Sequence, residues 1–93
     1  MEVIWTTPAR LQLAEAIEYI AEKDPLAALI LDEKVDKTIE RLSQFPNSSR
    51  IGRLQGTREA VVDSYILVYE VHHAHLLITD FVHGAQMFPK GKR

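Results

Sequence analysis

Apolar residues change their spacing twice along this chain, and the changes outline its elements. Glu2–Trp5, with its β-branched and aromatic residues Val3, Ile4 and Trp5, predicts a short strand. Thr6-Thr7-Pro8 reads as a helix start: a threonine hydroxyl can accept from the first free amides, and proline suits the first helical position. Leu13, Ile17 and Ile20, with Ala14 and Ala21, then recur at helical spacing, opposite Gln12, Glu15, Glu18 and Glu22. This predicts a helix over Pro8–Glu22. Lys23-Asp24-Pro25 repeats the start signal with Asp24 as the cap. A second helix follows, with a buried stripe of Ala28, Leu31, Val35, Ile39 and Leu42 and a wet face of Asp32, Glu33, Asp36, Lys37 and Glu40. Pro46 ends it, because the residue before a proline avoids helical geometry. So short a joint makes the two helices an antiparallel hairpin.

Residues 46–57 read as a loop with two glycines and two arginines. The period then becomes that of strands. Glu59–Val62, Tyr65–Val71 and His75–Val82 are rich in β-branched and aromatic residues, separated by Asp63-Ser64 and His72-His73-Ala74. The last two runs should pair antiparallel. Pro89–Arg93 is a basic tail expected to be loose. The order is β-α-α-β-β-β, an α+β domain with a helical hairpin packed on one face of a small, mostly antiparallel sheet.

Composition fits one globular domain over residues 1–93: of 93 residues, 46% are hydrophobic and 26% charged. The absence of cysteine excludes a disulfide scaffold, a thiolate metal site and a cysteine nucleophile. The first residues lack the basic and apolar stretches of a secretory leader, and no apolar run reaches the roughly 18 residues of a membrane helix. A cytoplasmic location is expected. The net charge of -2 conceals an asymmetry: residues 1–49 hold five basic and nine acidic residues, residues 50–93 six basic and four acidic. A pI near 6.0 argues against broad nucleic-acid binding, which needs several phosphate-neutralising cations.

Three segments in the second half carry a resemblance. Gly56-Thr57-Arg58-Glu59 opens a strand, Tyr65 and Tyr69 bracket the next, and His83-x-x-Gln86-x-x-Pro89 closes the last. With the β-α-α-β-β-β order, this resembles the RelE/ParE superfamily of toxins from bacterial type II toxin–antitoxin systems, of the plasmid-stabilisation kind. The resemblance implies a small toxin neutralised by a cognate antitoxin, in a hetero-oligomer, with no cofactor or metal. It implies one of two targets. ParE-like members inhibit DNA gyrase and block replication; RelE-like members cut messenger RNA on the ribosome.

The nuclease route needs positive charge on the developing phosphorane and a proton-transfer group. Arg50, Arg53 and Arg58 are the candidate stabilisers and His83 the candidate acid or base. Phe88, where related nucleases carry a tyrosine, can stack on a base but cannot move a proton. The basic array is thin, which favours the gyrase branch. There the function resides in a surface, for which Gln86, Met87, Phe88 and the basic tail are the expected contacts. A third possibility is a toxin relative that only binds antitoxin.

Plainer roles compete with each assignment. Arg58 can anchor a loop through carbonyls or pair with Glu59 or Asp80. Arg50 and Arg53 can solvate the loop, and His83 can be a hydrogen-bonded structural residue. His72, His73 and His75 are better explained as an exposed hairpin tip than as metal ligands. Tyr65, Tyr69 and Phe81 suit sheet packing, and Trp5 suits a core position beneath a helix. An open strand edge and a groove beside the helical hairpin would suit a partly disordered antitoxin.

Overall fold

A computed structural model describes residues 1–86 and Phe88. The elements are β1 (Glu2–Trp5), α1 (Thr7–Lys23), α2 (Pro25–Gln44), β2 (Arg50–Ile51), β3 (Arg58–Val62), β4 (Tyr65–Val71) and β5 (His75–His83). Both helix starts form as their residues dictate. Thr6 Oγ1 accepts from the Ala9 amide at 3.2 Å, and Asp24 Oδ1 from the Ala27 amide at 3.1 Å. Asp24 alone separates the helices: it also ends α1, its amide donating to Ile20 O at 2.8 Å. Phe45, just before Pro46, closes α2.

The five strands lie in the order β1-β5-β4-β3-β2. Every pair is antiparallel except β1 with β5, which runs parallel from Glu2↔His75 to Trp5↔Ile78. The loop reading of residues 46–57 is corrected by β2, a two-residue strand pairing Arg50 with Glu59 and Ile51 with Arg58. The β3–β4 turn puts Asp63 at φ 55°, a left-handed conformation that aspartate tolerates better than most residues.

Alternation sorts the strand residues onto two faces. Ala60, Val62, Leu67, Tyr69, Leu76, Ile78 and Phe81 form one core with Leu31, Val35 and Leu42 of α2 and Ala9 and Ala16 of α1. Ile66, Val68 and Val82 face the other way, with Phe88 packed on them. The buried stripe of α2 stands as predicted, with Ile39 half-buried. That of α1 is rotated: Ala9 and Ala16 are its buried residues, Leu13, Ile17 and Ile20 are half-buried, and Ala14 is exposed. Alanines let the α1 backbone approach β5 closely, and the larger side chains flank the contact.

Strand β5 is not regular along its whole length. Tyr69 pairs with Ile78 but Val68 pairs with Asp80, so Thr79 is an extra residue, a β-bulge in β5. The start of α1 fastens this bulge. Thr6 donates its amide to Ile78 O (3.0 Å) and its hydroxyl to Thr79 O (3.4 Å). Gln12 then takes the Phe81 amide on Oε1 (2.9 Å) and donates Nε2 to Asp80 Oδ1 (3.2 Å).

Candidate functional surfaces

The charged feature buried most deeply among the described residues is a carboxylate that the sequence suggested only as a possible ion-pair partner of Arg58. Glu59 is 3% exposed, on the face of β3 away from the helices. Arg53 grips it with Nε to Oε2 (2.9 Å), Nη2 to Oε1 (3.1 Å) and its own main-chain amide to Oε2 (3.0 Å). Arg50, its cross-strand neighbour, adds Nη2 to Oε1 at 3.1 Å. Burial pushes the Glu59 carboxyl up. The hydrogen bonds from Arg53 and Arg50, with the Arg53 charge, outweigh that and hold it below the usual carboxylate range. The same hydrogen bond raises Arg53 further above its ordinary value. The Arg53 guanidinium also lies 5.6 Å from the Phe88 ring centroid and reaches Phe88 O at 3.5 Å.

Arg58 does what the loop-anchor reading predicts through carbonyls. Its Nη1 donates to Ser49 O at 2.7 Å and Asn47 O at 3.4 Å, tying the segment after α2 to β3. Tyr69 adds a bond from its hydroxyl to Pro46 O at 2.8 Å. The Gly52–Thr57 loop is locked as well. The Gly52 amide donates to Thr57 O at 2.8 Å, and a Cβ on Gly52 would collide with Thr57 Oγ1.

His83 stands at the end of β5 with its ring edge-on to Tyr65 (centroids 5.2 Å), which stacks on Phe81 at 4.9 Å. Its Nδ1 accepts from the Ala85 amide at 3.0 Å, so the neutral ring carries its proton on Nε2 and can only donate there. The three groups of the nuclease reading are not gathered together. Arg53 binds Glu59 on one face, and Arg58 alternates with Ala60 and Val62 on the other. His83 pairs with Tyr65, while Arg58 pairs with Tyr69, four residues along β4, or roughly 13 Å. Of the proposed gyrase contacts, Gln86 is on the helix side of the sheet and Phe88 on the other. Met87 and residues 89–93 lie outside the described residues. At the β4–β5 turn, His72 Nε2 meets Glu70 Oε1 at 2.8 Å and stacks on His75.

Two concave surfaces flank α1. A groove of about 470 Å³ separates α1 from α2, with Trp5, Leu13, Ile17 and Ile39 in it and Glu18, Asp32 and Asp36 against one basic residue, Arg10, at its rim. Trp5 is half-buried, packed on the core and lining this groove. A crevice of about 190 Å³ lies between α1 and the end of β5, lined by Glu15, Tyr19, Tyr65, Phe81, His83 and both Gln12 and Gln86. No helix among the described residues is long and apolar enough to cross a membrane.

Residues 3–88 match the model of a family described as the ParE toxin of the type II toxin–antitoxin system parDE. The chain belongs to the ParE toxin family. It is a type II toxin–antitoxin toxin of the RelE/ParE superfamily, as its motifs suggested. The protein Y4kP of Sinorhizobium fredii is 32% identical over 88 residues, covering 92% of this chain and 91% of that protein. The toxin RelE2 of Caulobacter vibrioides is 26% identical over 86 residues, covering 92% and 98%. Among solved structures, the chromosomal ParDE system of P. aeruginosa superposes with a TM-score of 0.79 at 18% identity, over 89% of this ParE-family chain and 95% of that one. A YoeB/ParE toxin from Agrobacterium tumefaciens gives 0.63 at 16% identity, over 89% and 98%. These two likenesses show the shared fold.

Proposed function

We propose that this ParE-family toxin, of the plasmid-stabilisation kind, acts in the cytoplasm by inhibiting DNA gyrase and blocking replication. A cognate antitoxin neutralises it. The separation of Arg53, Arg58 and His83 carries the reading. General acid–base cleavage needs its proton-transfer group and charge stabilisers around one phosphate. Here Arg50 and Arg53 are engaged by Glu59 and Arg58 by loop carbonyls, and the imidazole stands at the far end of β4 from Arg58. Docking surfaces are what the molecule offers instead. The α1–α2 groove, apolar inside and acidic at the rim, suits an antitoxin helix whose apolar side chains are flanked by lysine or arginine.

One observation favours the ribosome-dependent nuclease as second reading: the similarity to the toxin RelE2, with an Arg53 guanidinium that remains 41% exposed beside Phe88. The two separate by order of arrest after induction. If thymidine incorporation stops well before leucine incorporation, the gyrase reading stands; the reverse order supports the ribosome. A folded chain that arrests neither, yet copurifies with its antitoxin, is a binding module only.

A further inference from the structure

Ser48 is exposed in the turn after α2, and its hydroxyl is held differently from those before it. The Thr38 and Ser43 hydroxyls each donate to a helix carbonyl at 2.8 Å. Ser48 Oγ instead accepts from Arg41 Nη1 at 2.8 Å, the one side-chain hydrogen bond Arg41 makes among the described residues. Arg58 comes to the same turn from β3. Its Nη1 donates to the carbonyls of Asn47 and Ser49, on either side of Ser48. The turn itself is fixed, with the Ser48 amide on Phe45 O at 3.0 Å and the Tyr69 hydroxyl on Pro46 O at 2.8 Å. A guanidinium is built to grip an oxyanion through parallel N–H groups. Arg50 and Arg53 have one in Glu59, whereas Arg41 and Arg58 pair with no carboxylate among the described residues. Two cations are therefore aimed at neutral oxygens around one exposed hydroxyl.

We infer that Ser48 is a phosphorylation site, with Arg41 and Arg58 as the preformed receptor for its phosphate. In the reaction, Ser48 Oγ attacks the γ-phosphorus of a nucleoside triphosphate bound by a serine kinase. An O–P bond forms at Ser48 and the bond to the β–γ bridging oxygen breaks. The hydroxyl proton passes to the kinase, and the nucleoside diphosphate leaves. At pH 7 the product carries a charge of about -1.5 to -2 and three strong acceptor oxygens, in place of the single hydroxyl that Arg41 holds now. The negative end of the α2 dipole opposes a phosphate here, and Arg41, in the last turn of α2, offsets it. The modified turn is clamped to α2 through Arg41, while Arg58 adds its charge from β3. None of these residues lines the α1–α2 groove, so the inference depends on neither the antitoxin nor the gyrase reading.

The test uses the full chain made with phosphoserine inserted at position 48 and titrated by phosphorus NMR. Neighbouring guanidiniums favour the dianion, so the second pKa of the phosphate should fall from about 6 to about 5, and return to about 6 in Arg41→Ala. The phosphorylated chain should melt about 3–6 °C above the parent, whereas Arg41→Ala in the unmodified chain should change the melting temperature by less than about 3 °C. Mass spectrometry of the chain isolated from its own host, growing and starved, should find phosphate on Ser48, and Ser48→Ala should remove it. A phosphate that titrates near 6 without raising the melting temperature means that the arginines only anchor the turn, and overturns the inference. A chain that carries no phosphate on Ser48 in either condition overturns it equally.

Discussion

Arg53→Ala tests whether Arg53 is chiefly a partner of Glu59. The variant leaves a 3%-exposed carboxylate without two of its side-chain bonds. Removing one partner of a buried ion pair costs about 3–5 kcal/mol. Here Arg50 and the residue 53 main-chain amide stay bonded to Glu59, so the cost should fall at about 2–3 kcal/mol. For a domain of this length that is a fall in melting temperature of about 10–20 °C. Glu59→Gln removes the buried charge and releases two half-exposed arginines to water, at about 1–2 kcal/mol. In the double variant no charge is stranded, so it should be more stable than Arg53→Ala by about 1 kcal/mol. Circular-dichroism melts at pH 7 of the parent and three variants complete the cycle. An Arg53→Ala loss under about 3 °C, or a double variant less stable than Arg53→Ala, would refute the reasoning.

Other outcomes rest on the same contacts. Because the Glu59 pKa is lowered on folding, its contribution is full above the unfolded value of about 4.3 and disappears as pH falls through the folded value. The stability gap between parent and Glu59→Gln should therefore close below about pH 4 in urea titrations; a gap that widens there contradicts the pairing. Gln12→Ala should cost about 1–3 kcal/mol and speed exchange at Phe81 selectively, since it orphans that amide and releases Asp80. Lys34→Ala should change stability by less than about 0.5 kcal/mol, because its 2.9 Å pair with Asp63 is half-exposed on both sides.

Much of the fold was legible because its signals are local. Thr6 and Asp24 cap helices through their own side chains, Pro46 excludes helix from Phe45, and runs of β-branched and aromatic residues mark β3 to β5. What was not legible is set by tertiary pairing. β2 is two residues long and takes its form from β3 alone. The Thr79 bulge exists because α1 supplies Thr6 and Gln12 to the groups it leaves. The rotated face of α1 reflects close helix–sheet approach, which favours alanine over the larger residues that periodicity weights most. At the candidate sites, Arg58 could be placed because a strand-start arginine commonly serves carbonyls. Glu59 was missed as the organiser of Arg50 and Arg53: a single charged residue in a strand gives no sign of its burial, although its position between Arg58 and the buried Ala60 pointed to the opposite face. The proximity of Arg53 to Phe88 has no local signature at all.

The central claim is that the toxin acts through a surface on gyrase. It is tested most directly by plasmid supercoiling with purified gyrase and ATP, with and without the folded chain. Loss of supercoiling that the antitoxin reverses, and that Arg58→Ala preserves at a temperature where it remains folded, is the predicted result. Full supercoiling at a large excess of folded toxin would contradict it and turn attention to the ribosome.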